Sequence, residues 1–361
     1  MRPLYRYSLL ELDKVLFRKE YTKQSGTTIY SSLYLCRGDF ICITHGRPCL
    51  KGDNIMKKLT AILLVIAMIA ALCLTGCGEK TDYTVGVCQL MKHESLDKAT
   101  QGFCDALNAD LKAAGKTVKI DVQIAGEATL CSTVINTFNA KNVDLIMGNA
   151  TPALLAAANA NKTRPVLGTS VTDYLDTFSG TIPANVSGTS DAVPFEEQAQ
   201  MMIETLNLVS GDKVGVLYCI NESNSKIQYE AVKALFEAEG IIAEAYTFSE
   251  VNELQAVVNK MTAESKAVYI PSDNTVAQND TLVGSICNEN NIPVFTSYGG
   301  AVCYASLAID YYELGAETGR MAAQILLGNK TPADLEITTL TPTVVYNQEL
   351  CAKLNIEVPQ N

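Results

Sequence analysis

The sequence predicts an α/β protein built as two doubly wound parallel-sheet lobes joined by crossover strands. Three observations lead there. Strand-like apolar runs alternate with helix-length amphipathic segments from residue 83 to about 309. The alternation is passed through twice in the same order, and polar residues gather behind the strand ends in both passes.

Thr84-Val85-Gly86-Val87-Cys88 opens the first pass and Lys213-Val214-Gly215-Val216-Leu217 the second, each followed by a polar loop and a helix-like segment, at about 96–114 and 225–239. Val143-Asp144-Leu145-Ile146-Met147 then runs into Gly148-Asn149-Ala150-Thr151-Pro152, as Ala267-Val268-Tyr269-Ile270 runs into Pro271-Ser272-Asp273-Asn274-Thr275. A third echo sets Arg164-Pro165-Val166-Leu167-Gly168-Thr169-Ser170 against Ile292-Pro293-Val294-Phe295-Thr296-Ser297-Tyr298. One such echo is within reach of chance; three in the same order describe two similar lobes.

Upstream of this pattern, Met56-Lys57-Lys58 and the apolar run Leu59 to Leu74 have the layout of a secretory signal peptide over residues 56–76. The run is about sixteen residues, short of the roughly 20 that span a bilayer. It ends in Leu74-Thr75-Gly76-Cys77, which resembles the lipobox of bacterial lipoproteins. That resemblance implies that the Cys77 thiol receives a diacylglyceryl group, that the preceding peptide is removed, and that residues 77–82 become a tether. Residues 1–55 show no clear helical or alternating period; they are expected to be upstream sequence translated from a mistaken start codon, the alternative being a cytoplasmic extension.

Composition excludes several classes. From Cys77 onward there are 17 Lys and Arg against 34 Asp and Glu, a formal net charge of −17, so nucleic acid is not an expected partner. The excess acid serves solubility. These 285 residues suffice for two domains of ordinary size. The remaining cysteines, Cys88, Cys104, Cys131, Cys219, Cys287, Cys303 and Cys351, are odd in number and without paired spacing, and are read as small buried hydrophobes. An exported protein with this many free thiols suits an organism living without oxygen. His93 is the only histidine after Cys77, so no Cys/His zinc set can be assembled, and no metal or cofactor is expected. Enzymatic activity would need a nucleophile–base pair or a metal set; His93 has no identifiable Ser or Cys partner, and none is expected. A ligand-sensing repressor would carry a basic DNA-reading module where this chain has a signal sequence.

Ligands of parallel α/β sheets bind beyond the carboxyl ends of the strands, so two facing lobes present two sets of loops to one cleft. The polar clusters fall there: Gln89 and His93, Asn149 and Thr151, Ser170 to Asp173, Asn221 to Ser225, and Asp273 to Thr275. Helix starts at Thr151, Asn224 and Asn274 would leave free N–H groups favouring an anion such as a carboxylate. Each of these residues also suits a plain N-cap.

Taken together, Gln89, His93, Leu96-Asp97, Gln101-Gly102-Phe103, Ala150-Thr151-Pro152, Val171-Thr172-Asp173, Asn185-Val186 with Gly188-Thr189-Ser190-Asp191, Glu222 with Asn224-Ser225, Asp273-Asn274-Thr275 and Asp310-Tyr311-Tyr312-Glu313-Leu314-Gly315 resemble the ABC-transporter substrate-binding family that includes tryptophan/tyrosine-type binding lipoproteins. The match spans essentially residues 83–358, with Tyr174 and Glu94 standing where relatives commonly carry Pro. The resemblance implies a type I periplasmic-binding-protein fold with three crossovers, near Gly188–Asp191, Ile309–Asp310 and Thr338–Thr341. Residues 83–188 plus 310–338 then form lobe 1, and residues 189–309 plus 339–361 form lobe 2. A helix from Tyr311 to Leu327 would pack on lobe 1, leaving Asp310 at a hinge facing the cleft.

The expected function is an extracytoplasmic, lipid-anchored protein of the cell membrane that captures a small polar solute, an aromatic amino acid in the first instance, for ABC permease subunits. The alternatives are a lipoprotein that reports its ligand to a membrane receptor, or the capture of a different small solute. Ligand contacts are expected from Gln89, His93, Thr151, Ser170 and Thr172 on one side and from Ser223, Asn224, Ser225, Asp273, Asn274 and Tyr298 on the other. Asp273 and Asp310 are the candidate partners of a ligand ammonium, with a hinge or helix-cap role as the other reading for each. The lipobox yields a direct prediction: Cys77→Ala releases the protein from the membrane fraction and abolishes metabolic lipid labelling, whereas unchanged fractionation would remove the anchor assignment.

Overall fold

The structure, a computed structural model, describes residues 16–22, 28–36, 39–40 and 81–359. They fall into two compact units, Met1–Glu79 and Lys80–Asn361. In the first unit, β1 (Leu16–Thr22) and β2 (Thr28–Cys36) pair antiparallel, and β3 (Asp39–Phe40) adds to β2. These strands arise where the sequence shows no alternation. Phe17, Tyr21, Thr28, Ile29, Tyr30 and Tyr34 are residue types of high β-propensity. The signal segment and Cys77 lie outside the described residues.

The second unit opens with five strands interleaved with helices: β4 (Tyr83–Gln89), α1 (Glu94–Ala113), β5 (Val118–Ile124), α2 (Cys131–Lys141), β6 (Leu145–Asn149), α3 (Thr151–Ala160), β7 (Val166–Val171), α4 (Tyr174–Thr177) and β8 (Val186–Ser190). The chain then builds a second set: α5 (Phe195–Leu206), β9 (Lys213–Cys219), α6 (Ser223–Ala238), β10 (Ile242–Phe248), α7 (Val251–Glu264), β11 (Ala267–Ile270), α8 (Asn274–Gln278), α9 (Asp280–Glu289), β12 (Val294–Thr296) and β13 (Ala305–Ala308). It returns through α10 (Tyr311–Leu326) and β14 (Thr338–Thr339), and ends with β15 (Thr343–Tyr346) and α11 (Gln348–Lys353).

The sheets run β5-β4-β6-β7-β8-β14 and β10-β9-β11-β12-β13-β15. Strand order is thus the same in both, and each echo in the sequence occupies the same place in its sheet. All neighbours are parallel except β13 and β15. β6 and β7 are buried at every position, as parallel strands covered by helices on both faces must be. The paired glycines of the first echo have a common cause. A Cβ on Gly86 would come within 2.5 Å of the Phe138 ring on α2, and one on Gly215 within 2.6 Å of Met261 on α7; each opening strand carries a helix pressed against its backbone.

The chain passes from the first sheet to the second after Ser190, back after Ala308, and across again between Thr339 and Thr343. α10 lies against α1, burying Leu314 and Met321. The seven cysteines from Cys88 onward are free; six are buried and Cys104 is half-buried. Burial pushes the Cys287 thiol up to about 12 and Cys104 up to about 11, so both stay protonated and unreactive at neutral pH. Among the described residues no helix is long and apolar enough to cross a membrane, and no His/Cys/Asp/Glu cluster could hold a metal.

The α1–α10 contact depends on two missing side chains. A Cβ on Gly315 would overlap the Ala99 carbonyl oxygen, and one on Gly102 the Tyr312 carbonyl oxygen. Helix propensity alone favours Gly315→Ala by about 1 kcal/mol, but a backbone overlap cannot be relieved by a change of rotamer. Gly315→Ala is therefore expected to destabilise the protein by about 1–3 kcal/mol in urea unfolding; wild-type stability would show that the helices can separate freely.

Candidate functional site

Between the lobes lies a small cavity of about 20 Å³. Its wall comes from segments just beyond strand carboxyl ends: His93 after β4, Ser170 and Thr172 at β7, Asp191 after β8, Asn224 after β9, Ser272 to Asn274 after β11, Tyr298 after β12 and Tyr311 after β13. His93, Ser95, Ala277, Tyr298 and Tyr311 are shared with a groove of about 730 Å³ that also takes in Glu94, Asp280, Asp310 and Tyr312. The cavity has room for a water molecule but not for an amino acid. Loading it therefore requires the lobes or its aromatic walls to move.

On the lobe 2 side the loops are cross-tied by two buried carboxylates. Glu222 accepts from Asn274 through its backbone N–H (2.9 Å) and Nδ2 (2.7 Å), and from Thr275 through its N–H (2.8 Å) and Oγ1 (2.7 Å). Asp273 accepts from the Cys219 N–H, the Ser225 hydroxyl and the Val276 N–H. Burial, and then the charge of Glu222, push the Asp273 carboxyl well above the usual range. Of the two roles expected for Asp273, the structure gives it the helix-cap one. Ser225 is consumed by the same network, and Ser223 is exposed on the outer surface of α6.

Asp310 is also a cap: its exposed carboxylate accepts from the Tyr312 and Glu313 N–H groups and lines only the outer groove. Gln89 is spent inside lobe 1, donating to Met91 O (2.8 Å) and Asp97 Oδ1 (2.7 Å) and accepting from Thr100 Oγ1 (2.6 Å). Thr151 is buried at the start of α3, off the cavity wall. Tyr174 lies under the sheet, where its hydroxyl donates to Thr189 O; it does not reach the cleft.

Away from the crossovers, two side-chain hydrogen bonds among the described residues bridge the lobes. His93 Nε2 meets Asn274 Oδ1 at 3.2 Å, and Gln228 Nε2 donates to Thr172 Oγ1 at 3.3 Å. Asn274 Nδ2 donates to Glu222, so its Oδ1 can only accept from His93, which assigns the proton to Nε2 and leaves Nδ1 bare. Burial holds the His93 pKa below its usual value and the ring neutral at pH 7. Four cavity residues carry buried polar atoms with no partner: His93 Nδ1, Ser170 Oγ, Asn224 Oδ1 and Ser272 Oγ. Ser170 is held at φ 55°, a left-handed backbone unusual for serine, and Asn224 Nδ2 is fixed by Ser272 O at 2.7 Å. Such unmet groups cost free energy in a closed interior.

Sequence reasoning missed Asp191, Ser272 and Tyr311. Asp191 is 5 % exposed; its Oδ1 accepts from Thr172 Oγ1 (2.9 Å) and its Oδ2 from Tyr311 OH (3.1 Å). Burial raises its pKa. The signal for it was in the sequence: a carboxylate placed at the first crossover, where both lobes converge.

Two lobes of one strand order, closing over a polar cavity at the carboxyl ends of their strands, define a solute-binding protein of the type I periplasmic kind. Residues 84–361 match the family described as ABC transporter substrate binding protein, and the chain belongs to that family. It is 30 % identical over 334 residues to the tyrosine-binding protein of Clostridioides difficile (strain R20291), covering 85 % of this chain and 94 % of that one. A Streptococcus pneumonia ABC domain in complex with L-Trp superimposes with a TM-score of 0.70 at 32 % identity, covering 76 % of this chain and 96 % of that one. The ligand-free, open form of a Clostridium difficile substrate binding protein with adhesive properties gives 0.59 at 30 % identity, with 77 % and 97 % covered.

Beside the cavity, burial pushes Asp280 up to about 6 although Tyr298 OH donates to it at 2.6 Å. A raised folded-state pKa means that stability is fully present below the unfolded value, near 4, and is lost as pH rises toward 6. Asp280→Asn should abolish this component, flattening the pH 4–6 stability slope by roughly 2–3 kcal/mol in urea melts. An identical slope in both proteins would mean the carboxyl is not shifted.

Proposed function

We propose that this chain is a lipid-anchored extracytoplasmic receptor of an ABC importer, that its cleft captures an aromatic L-amino acid, and that it delivers the solute to permease subunits without chemical change. The observation that carries the reading is the set of four buried, unpartnered polar atoms on one cavity wall, drawn from both lobes. A zwitterion supplies donors and acceptors for such a set. Tyr298 and Tyr311 flank it with apolar faces suited to a ring. The tyrosine and L-Trp named for two relatives point to the same ligand class.

The mechanism is hinge closure. Solute enters with the lobes apart and meets Ser170 on one lobe and Asn224 and Ser272 on the other. Only a ligand touching both lobes has differential affinity for the closed state and can shift the equilibrium toward it. His93–Asn274 and Gln228–Thr172 then latch the closed form. The lobe arrangement superimposes better on the L-Trp complex than on the open, ligand-free relative at nearly equal identity, which is the direction a closed form requires.

Calorimetry against the twenty amino acids tests the ligand. Tyrosine and tryptophan are expected to bind at least about tenfold more tightly than leucine or valine, and Ser170→Ala to weaken them by about five- to tenfold, as for one lost hydrogen bond of about 1 kcal/mol. Small-angle scattering should record compaction on binding. Failure of every amino acid to bind would end the proposal.

A further inference from the structure

We infer that Asp191 is the group that recognises the α-ammonium of the ligand, so that the cleft selects amines over otherwise identical acids. This rests on the amino-acid reading above. The argument begins from the three carboxylates buried at the cleft. Glu222 receives at least two donors on each oxygen, and Asp273 three donors in all, two of them backbone N–H groups; both carboxylates are held by scaffold. Asp191 receives two side-chain hydroxyls, one on each oxygen, which leaves lone pairs open on both.

No cation answers it. The cavity wall contains no Lys or Arg, and none of the ion pairs among the described residues involves Asp191. His93 is on the same wall but neutral. A carboxylate 5 % exposed and without a counter-charge is expensive to keep, and such groups concentrate at functional sites.

The unpartnered atoms sharpen the choice of ligand group. Asn224 Oδ1 and His93 Nδ1, both on the wall with Asp191, are acceptors in the hydrogen-bond assignment that their neighbours impose. One carboxylate and two neutral acceptors match the three hydrogens and single positive charge of a primary ammonium. A hydroxyl ligand could satisfy the hydrogen bonds, but not the charge. Asp191 also sits at the first crossover, bonded to Thr172 of lobe 1 and to Tyr311 beside the second crossover. An ammonium held there is gripped where the lobes hinge.

The test compares each amino acid with its des-amino counterpart on the purified protein: L-tyrosine with 3-(4-hydroxyphenyl)propionate, and L-tryptophan with indole-3-propionate. The wild type is expected to prefer the amine by at least about 30-fold, the lower end for an unpaired buried charge. Asp191→Asn should lose that preference, binding the amino acid about as weakly as the des-amino acid, while its unliganded melting temperature is unchanged or higher. Tyr311→Phe removes a donor but keeps the charge, and should retain the preference. A wild type that binds both members of a pair equally overturns the proposal whether or not the variants fold. So does an Asp191→Asn protein that keeps the wild-type ratio. If the wild type binds no amino acid, it is the ligand class that fails, and this assignment with it.

Discussion

The cleft is organised by the need to bury carboxylates without burying cations. Asp191, Glu222 and Asp273 are each about 5 % exposed or less, and none forms an ion pair. Their stability comes from hydrogen bonds alone, and the number each receives sorts them by role. Glu222 and Asp273 tie the β9–α6 loop to the β11–α8 loop, making the lobe 2 side of the cleft one rigid surface. Asp191 receives fewer donors, one hydroxyl on each oxygen, which is why it is the one proposed to meet a ligand. Low dielectric strengthens a satisfied network and penalises an unsatisfied one equally, so rigidity and binding competence arise from the same burial.

Closure is written into the same bonds. Asp191 accepts from Thr172, which accepts from Gln228, whose Oε1 accepts the Ser272 N–H. This chain of contacts runs from the first crossover through lobe 1 into the loop that carries Asp273. Apolar packing spans the junction as well: Ala99 and Leu314 share a buried cluster with Val276, Tyr298 and Ile309. In the proposed hinge motion these contacts are exchanged for water, which would give the equilibrium two defined ends.

The departure at Tyr174 shows a local change absorbed by its surroundings. A Cβ on either Gly168 or Gly188 would collide with the Tyr174 hydroxyl, so the ring occupies space that only glycine leaves open on β7 and β8. The phenol is satisfied by Thr189 O. Its effect is on the packing under the sheet; the ring itself is not part of the cavity wall.

Much of the fold was legible because it depends on periodicity and repetition. The doubled alternation, the opening glycines and the rule that ligands sit beyond strand ends already place His93, Ser170, Thr172, Asn224, Asp273, Asn274 and Tyr298 on the cavity wall. The antiparallel strands before residue 41 escaped the same reading because no alternation marks them. Which polar residue does what was not legible. Asp273 and Asp310 look in sequence like free carboxylates beside a cleft; one caps α8 and ties its loop to the β9–α6 loop, and the other caps α10 in solvent. Asp191 looks like a crossover residue and proves to be a buried, half-satisfied one. Sequence determines which side chains arrive at the cleft, since strand ends and helix starts are local. Tertiary structure decides which arrive with hydrogen bonds to spare, because their donors come from residues up to 120 positions away, as with Tyr311 and Asp191.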